Sequence, residues 1–234
     1  MFAKRTIVMA TRGVGEIPSL SQLYRDSESD LSGAALSAKR EPDYPASESI
    51  NKRIGLIRGD ITKLRLDAVV NAANKSLLGG GGVDGAIHRA AGPRLVRECR
   101  PLGPINTGEA VITKGYNLPA KHVIHTVGPV YDTDPNPKES LANCYRESLR
   151  VAVTNNLTSV AFSAISTGIY GFPSSSAAKI ACKTVREFLE TEEGNTLSKV
   201  VFVTFVPPDV DAYNEALPRV FPPAEEGPQS EDET

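Results

Sequence analysis

Residues 71–85 read NAANKSLLGGGGVDG, and this stretch joins an apolar run to a helical pattern through four consecutive glycines. The preceding residues 68–70 are typical of a buried parallel strand, and the spacing of Val83, Ile87 and Ala91 predicts a helix. Glycines let a loop turn its backbone N–H groups inward, and a helix N-terminus adds the positive end of its dipole. The stretch therefore predicts an anion site between a strand and a helix, with phosphate as the expected anion.

Two better-known phosphate-binding loops fit these glycines poorly. The pattern G-x-G-x-x-G is present, but a dinucleotide-binding loop follows its strand almost directly, and residues 74–78 intervene here. A Walker-type loop requires Lys and then Ser or Thr after its last glycine, where Val83 and Asp84 stand. A merely flexible loop is the remaining alternative, and the polar Asn71 and Asn74 beside the glycines weigh against it.

The bulk composition predicts one ordinary α/β domain with tails. The chain has 234 residues, 40% of them hydrophobic, and a formal net charge of −2. This charge gives no global basic field, so we expect neither direct nucleic-acid binding nor a membrane partner, and no apolar run has the length of a membrane span. Cys99, Cys144 and Cys182 lack paired metal-ligand spacing and are expected to be reduced thiols in an intracellular compartment.

Alternating strand and helix patterns run through the middle of the chain. Strands are predicted at residues 54–58, 68–71, 110–113, 122–127, 159–163 and 199–205, and helices at residues 83–91, 93–99, 140–153, 174–190 and 208–217. Such alternation implies a mostly parallel sheet covered by helices on both faces. In these sheets ligands bind at the carboxyl ends of the strands, so the loops that begin at Asp60, Asn71 and Ser166 are expected to converge.

The two ends of the chain lie outside this pattern. Residues 1–48 are predicted to be a largely irregular arm, residues 49–222 the domain, and residues 223–234 an acidic, Pro-rich disordered tail. Within the arm, residues 17–20 are expected to pack on the domain, with Ser19 capping a short helix. The first fifteen residues carry basic side chains and no acid before Glu16, which allows a mitochondrial presequence; a cytoplasmic or nuclear location is favoured.

Four motifs together resemble the macrodomain of the MacroD type, a family of ADP-ribose-binding modules with hydrolase activity. They are residues 59–61, residues 71–74, residues 79–85 with His88, and residues 165–172. The resemblance covers about residues 50–222, including residues 122–129. It implies a three-layer α-β-α fold with a mostly parallel mixed sheet.

The resemblance also implies an ADP-ribose site. Asp60 and the Ile61 N–H would contact adenine, and Phe205 would stack on it, although a turn residue and a core aromatic are the plain alternatives. Tyr170 and Phe172 would wall the distal ribose. The diphosphate would lie between two sets of backbone N–H groups: Gly80, Gly81, Gly82 and Val83 on one side, and Ser166, Thr167, Gly168, Ile169 and Tyr170 on the other.

Asn74, Asp84 and His88 would form the catalytic set. In the resemblance Asn74 and Asp84 reach the distal ribose, Asp84 positions or activates the attacking water, and His88 holds the carboxylate from one helical turn away. The alternative is a helix N-terminal Asp beside a partly buried His. The proton of the water passes either to Asp84 or to a substrate phosphate oxygen, and no metal or redox cofactor is implied. His122 and His125 lie on opposite faces of a strand and are expected to be structural.

We therefore expect a hydrolase that removes mono-ADP-ribose from acidic side chains of proteins and acetate from O-acetyl-ADP-ribose. Its ligands would be ADP-ribose and O-acetyl-ADP-ribose, its substrates mono-ADP-ribosylated proteins, and the chain is expected to be a monomer. The alternatives are a non-catalytic ADP-ribose reader and a phosphatase of ADP-ribose 1″-phosphate. Readers of this fold can keep Asp60 and the glycines while losing Asn74, Asp84 or His88; all three are present here, which favours catalysis.

Overall fold

A six-stranded sheet forms the middle layer of the protein. The structure, a computed structural model, describes residues 10–32 and 41–224. The described residues form eight strands in two sheets: β1 (Arg12–Gly13), β2 (Ile54–Arg58), β3 (Leu64–Arg65), β4 (Ala68–Ala73), β5 (Ala110–Lys114), β6 (His122–Val127), β7 (Ser159–Phe162) and β8 (Lys199–Thr204). In the main sheet the strand order is β2-β8-β7-β4-β6-β5, and β1 and β3 form a separate two-stranded sheet. Only β5 runs antiparallel to its neighbour, which confirms the predicted mixed, mostly parallel sheet.

Helices cover both faces of this sheet. They are α1 (Leu20–Arg25), α2 (Glu48–Asn51), α3 (Gly82–Ala91), α4 (Pro93–Cys99), α5 (Pro137–Thr154), α6 (Ser174–Leu189) and α7 (Pro207–Val220). One apolar cluster joins the sheet to α1, α5, α6 and α7, and a second joins its other face to α3 and α4. The predicted three-layer α/β arrangement is therefore confirmed. In the described part of the chain, no helix is both long and apolar enough to cross a bilayer.

The part of the arm that the structure describes folds against the domain. Ser19 accepts a hydrogen bond from the Gln22 N–H and caps α1, as predicted. Leu20 and Tyr24 are buried in the larger apolar cluster, and the Tyr24 hydroxyl donates to the Phe221 carbonyl at 2.7 Å. The folded unit thus extends N-terminal to residue 48, the boundary that composition suggested. The basic residues 1–9 and the acidic residues 225–234 lie outside the described ranges, so the presequence and the disordered tail stay predictions.

The three cysteines are all buried and unpaired. Burial raises the pKa of the Cys144 thiol to about 11, and the pKa of Cys182 is raised further. A thiol with a raised pKa is a poor nucleophile at neutral pH. These two cysteines therefore act as small apolar core residues.

Candidate functional site

A cleft opens at the carboxyl edge of the sheet, between the loop after β4 and the loop after β7. Its volume is about 260 Å³. The first loop contributes Asn74, residues 80–83 and Asp84, and the second contributes Ser166 and residues 168–170. β4 and β7 are hydrogen-bonded neighbours in the sheet, so their carboxyl ends bring these two loops together. Two of the three predicted loops therefore converge as expected.

Three of the four glycines in the first loop are favoured by the backbone or by the neighbouring side chains. Gly79 and Gly82 have φ angles of +87° and +58°, a region that favours glycine. A Cβ on Gly80 would lie 3.1 Å from Asp84 Oδ2 and 3.2 Å from Asn74 Nδ2. The loop can approach these two polar groups closely because residue 80 has no side chain.

Hydrogen bonds within the second loop and a hydrogen bond to α7 hold this loop in place. The Phe172 N–H donates to the Ser166 carbonyl at 2.9 Å, and Ser166 has a φ of +67°. The Thr167 hydroxyl donates to Asp209 Oδ2 of α7 at 3.1 Å. Gly128, directly after β6, allows the loop to sit close to the sheet, because a Cβ there would lie 2.1 Å from Ser166 Oγ. Composition and periodicity gave no signal for Asp209 or Gly128.

The loops on both sides of the cleft contain backbone N–H groups without hydrogen-bond partners. The N–H groups of Gly80 to Val83 and of Ser166 to Tyr170 donate to no other residue in the described ranges. Gly82 and Val83 are the first two residues of α3, so the positive end of the helix dipole lies behind the first set. Oriented N–H groups and a helix N-terminus bind anions without lysine or arginine. The geometry therefore suits the anion that the sequence predicted.

Asp84 lies at the floor of the cleft and is only 4% exposed. Its Oδ1 accepts a hydrogen bond from Asn71 Nδ2 at 2.8 Å and lies 3.4 Å from His88 Nε2. Its Oδ2 has no hydrogen-bond partner among the described residues. Burial raises the pKa of this carboxyl above its ordinary value, although the Asn71 hydrogen bond and the neighbouring His88 act in the opposite direction. One carboxylate oxygen is thus anchored, and the other is buried without a hydrogen-bond partner among the described residues.

Asn74 shapes the first loop as well as lining the cleft. Its Nδ2 donates to the Gly79 carbonyl at 2.9 Å, and its Oδ1 accepts from the Ser76 N–H at 3.1 Å and the Ser76 hydroxyl at 2.7 Å. The predicted catalytic residues Asn74, Asp84 and His88 are therefore brought together. Asn74 also fixes the turn that leads into the glycines.

His125, which was expected to be structural, is linked to Asp84 through Asn71, a connection that the sequence did not predict. His125 Nδ1 is 3.2 Å from Asn71 Nδ2, and His125 Nε2 is 3.0 Å from Thr113 Oγ1 and 3.6 Å from Cys99 Sγ. Burial, with a smaller contribution from His88, lowers the pKa of His125 to about 3, so this ring is neutral at physiological pH. Burial also raises the pKa of Cys99 to about 11. Only strand alternation could have suggested this placement, since it puts Asn71 and His125 on the same face of neighbouring strands.

His88, Cys99 and His125 place three potential metal-ligand atoms within 4.8 Å of one another. Sequence spacing did not predict this cluster, because its members come from α3, α4 and β6. The short contacts of His125 to Asn71 and Thr113 use both ring nitrogens in hydrogen bonds. The arrangement therefore fits a hydrogen-bonded chain better than a metal site, in which a ring nitrogen needs a free lone pair.

The residues predicted to contact adenine lie further along the same edge of the sheet. Asp60 Oδ1 accepts from the Thr62 N–H at 2.9 Å and the Thr62 hydroxyl at 2.7 Å, which leaves Oδ2 for a ligand. The Ile61 side chain is buried, and its N–H donates to no described residue. Phe205 follows β8 and is 70% exposed, so it is not the core aromatic of the alternative interpretation. These residues follow β2 and β8, the pair at one end of the sheet.

Phe172 does not line the cleft, in contrast to the prediction that it walls the distal ribose. Its side chain is buried and packs against Tyr131 with ring centroids 4.8 Å apart. The reason is local: Gly171 has a φ of +68°, and the Phe172 N–H returns to the Ser166 carbonyl, so the ring turns into the core. Tyr170 lines the cleft, and its contact with the distal ribose stays a prediction.

Comparison with known proteins agrees with this architecture. A family model described as Macro domain matches residues 70–181. A macro domain-containing protein of Chlorobaculum tepidum is 57% identical over 168 residues, which cover 71% of this chain and 96% of that protein. The ADP-ribose glycohydrolase MACROD2 of Xenopus laevis is 47% identical over 210 residues, which cover 88% of this chain and 48% of that protein.

A solved structure is similar over most of the chain. The crystal structure of a Trypanosoma brucei macrodomain in complex with ADP has a TM-score of 0.73 and 39% sequence identity, and the match covers 90% of this chain and 78% of that one. The chain spans about half the length of the first curated glycohydrolases that it matches. The similarity therefore concerns the domain that carries the cleft.

Proposed function

Because this chain belongs to the macrodomain family, we propose that its cleft binds ADP-ribose and that the protein hydrolyses ADP-ribosyl esters. The substrates proposed are proteins that carry mono-ADP-ribose on Asp or Glu side chains, and O-acetyl-ADP-ribose. The observation that carries the proposal is a buried carboxylate oxygen without a hydrogen-bond partner, Asp84 Oδ2, on a residue that lines a cleft between two loops with unpaired backbone N–H groups.

The diphosphate of ADP-ribose would lie between the two loops. Nine N–H groups, those of residues 80–83 and 166–170, are free to donate to its oxygens. Hydrogen bonds from neutral donors to a charged oxygen are among the stronger hydrogen bonds in proteins. This explains how a chain with a net charge of −2 could hold a dianion.

The size of the cleft decides which part of the ligand it holds. Pockets for drug-sized ligands are about 300–1,000 Å³, and this cleft is about 260 Å³. It therefore suits the diphosphate and the distal ribose, while adenine would lie outside it, between Asp60 and the exposed ring of Phe205. Binding at those remote groups would orient the distal ribose over Asp84.

The chemical step proposed is ester hydrolysis by water. The water oxygen attacks the acyl carbon while Asp84 Oδ2 accepts a proton from the water. The bond between the acyl carbon and the ribose oxygen then breaks, and the proton passes from Asp84 to that ribose oxygen, so that the products are ADP-ribose with a free hydroxyl and a free carboxylic acid. A carboxyl with a raised pKa is a better proton acceptor than an ordinary Asp. Asn71 and His88, which contact Oδ1, would keep Oδ2 directed at the ribose.

The proposed role of Asp84 predicts the pH dependence of turnover. Its pKa is raised, so the carboxyl gains a proton at a higher pH than the ordinary value of 3.8. As the pH falls from neutral, we expect kcat to decline with a midpoint above that value, because the protonated carboxyl cannot accept a proton. The measurement is kcat against pH, with circular dichroism at each pH to show that the fold persists. A kcat that stays constant as the pH falls from neutral to 3.8 would contradict the role of Asp84 as the base.

Three candidate functions of this site can be separated in one experiment. The full chain is incubated with a glutamate-mono-ADP-ribosylated protein, with O-acetyl-ADP-ribose and with ADP-ribose 1″-phosphate, while calorimetry measures its affinity for ADP-ribose. The proposal predicts binding together with release of ADP-ribose from the first two substrates. Binding without turnover would indicate a reader, and turnover of the 1″-phosphate alone would indicate a phosphatase. Failure to bind ADP-ribose would refute the proposal.

A further inference from the structure

Three polar side chains lie in the middle of an otherwise apolar layer of the fold. Asn71 and His125 are fully buried and Thr113 is 2% exposed. They lie on the face of the sheet covered by α3 and α4, where the surrounding side chains are apolar. Burying polar groups in such a layer costs stability unless hydrogen bonds satisfy them, so apolar residues would make the simpler core. Polar groups that break a local packing rule commonly serve a function.

These side chains form a continuous chain of contacts that ends at Asp84. The register of the sheet pairs Asn71 directly with His125. Asn71 Nδ2 donates to Asp84 Oδ1 at 2.8 Å and lies 3.2 Å from His125 Nδ1. On the far side of the ring, His125 Nε2 is 3.0 Å from Thr113 Oγ1, and the Thr113 hydroxyl donates to the Val123 carbonyl at 3.4 Å. Every link joins named polar atoms without an intervening apolar group.

The contacts fix which nitrogen of His125 carries the proton. An amide NH₂ can only donate, so His125 Nδ1 accepts from Asn71 and must be unprotonated. The proton of the neutral ring is then on Nε2, which donates to Thr113 Oγ1. Both amide hydrogens of Asn71 are thus committed, one to Asp84 and one to His125. A rotation of the amide would break both bonds and set its oxygen against the carboxylate.

We propose that His125 is a positioning residue for Asp84, which it orients through the Asn71 amide so that Oδ2 faces the ligand. This inference rests on the proposed function, because it assigns a role in the same hydrolysis. His125 does not touch the cleft and is separated from Asp84 by one side chain. Its part is to hold the Asn71 amide in a single orientation, and Asn71 in turn holds Oδ1.

Two substitutions of His125 separate positioning from packing. The side-chain oxygen of an Asn at this position can take the place of Nδ1 and accept from Asn71. The longer Gln places its amide near the position of Nε2 and leaves Asn71 without that acceptor. Loss of a group that orients a metal ligand typically costs about 10–100-fold in affinity or activity, and we expect the same scale for a group that orients Asp84. We therefore expect His125→Gln to lower kcat by about 10–100-fold, and His125→Asn to retain a kcat about tenfold higher than His125→Gln.

The same variants report on binding and folding. The affinity for ADP-ribose, measured by calorimetry, should stay close to that of the wild type in both variants, since backbone N–H groups hold the diphosphate. If kcat instead fell equally in both variants, or followed their melting temperatures, His125 would be a packing residue and the proposal would be wrong. Loss of ADP-ribose affinity in parallel with kcat would overturn it as well.

Nitrogen NMR of the wild-type protein tests the chain without any variant. We expect the His125 ring at neutral pH to be neutral, with Nε2 protonated and Nδ1 unprotonated. A proton on Nδ1, or a doubly protonated ring, would overturn the proposal. Absence of turnover in the wild type with this tautomer present would instead refute the proposed hydrolase, so the two failures are distinguishable.

Discussion

Replacing Asp84 with Asn should lower kcat for hydrolysis of ADP-ribosyl esters by about 10²–10⁴-fold, the range that a general base contributes. The Asn side chain keeps an oxygen that can accept from Asn71 Nδ2, so the geometry at Oδ1 persists. It lacks the charge that accepts a proton at Oδ2. The affinity for ADP-ribose should remain close to that of the wild type, because the diphosphate is held by backbone N–H groups.

The same substitution should not destabilise the fold at neutral pH. The pKa of Asp84 is raised in the folded state, so folding favours the protonated carboxyl. Its contribution to stability is therefore fully present below the ordinary pKa of the unfolded chain and is lost as the pH rises through the raised value. A neutral Asn avoids that loss, and the free energy of unfolding at neutral pH should equal or exceed that of the wild type.

Steady-state kinetics, calorimetry with ADP-ribose and thermal unfolding measure these three quantities. Asp211→Asn is the matched control, because Asp211 is exposed on α7 and does not line the cleft. It should change none of them. Wild-type turnover by Asp84→Asn would remove Asp84 from the chemistry, and a proportional loss of ADP-ribose affinity would assign it to binding instead.

Replacing Gly128 with Ala should weaken ADP-ribose binding by about tenfold or more, which corresponds to about 1.4 kcal/mol. The added Cβ would lie 2.1 Å from Ser166 Oγ and 2.7 Å from Ile165 Cγ2, so the start of the second loop must move. That movement separates the N–H groups of residues 166–170 from those of the first loop. The free energy of unfolding should also fall by about 1–3 kcal/mol, the usual cost of overpacking.

Calorimetry and thermal unfolding measure both effects. Gly15→Ala is the matched control, since a Cβ on Gly15 would meet no atom within 4 Å and Gly15 lies in the arm. It should leave the affinity for ADP-ribose unchanged. Wild-type affinity in a folded Gly128→Ala protein would show that the position of the second loop does not determine binding.

Local patterns in the sequence were sufficient to predict the main elements of the fold. β2, β6 and α4 have the predicted bounds. β4 continues two residues beyond the prediction, to Ala73, because Ala72 and Ala73 pair with β6. Helix α5 begins three residues early, at Pro137, since Pro is well suited to the first turn of a helix.

The cleft was predictable in part, because its glycines are adjacent in sequence and follow a strand. The contacts that hold it were not, since they join elements distant in the chain. Gly128 packs on Ser166, and Thr167 bonds to Asp209, across 38 and 42 positions of the chain respectively. Only the three-dimensional arrangement shows which of many Gly, Asp and Thr residues form these pairs. The prediction that Phe172 walls the distal ribose was wrong for a related reason. A single turn at Gly171 decides whether the Phe172 ring faces the cleft or the core.

A crystal structure of the Asp84→Asn protein with ADP-ribose tests the central claim most directly. We expect the diphosphate between the N–H groups of residues 80–83 and residues 166–170, and the distal ribose beside residue 84. A nucleotide bound elsewhere, or a distal ribose that points away from residue 84, would contradict both the binding site and the chemistry proposed for it.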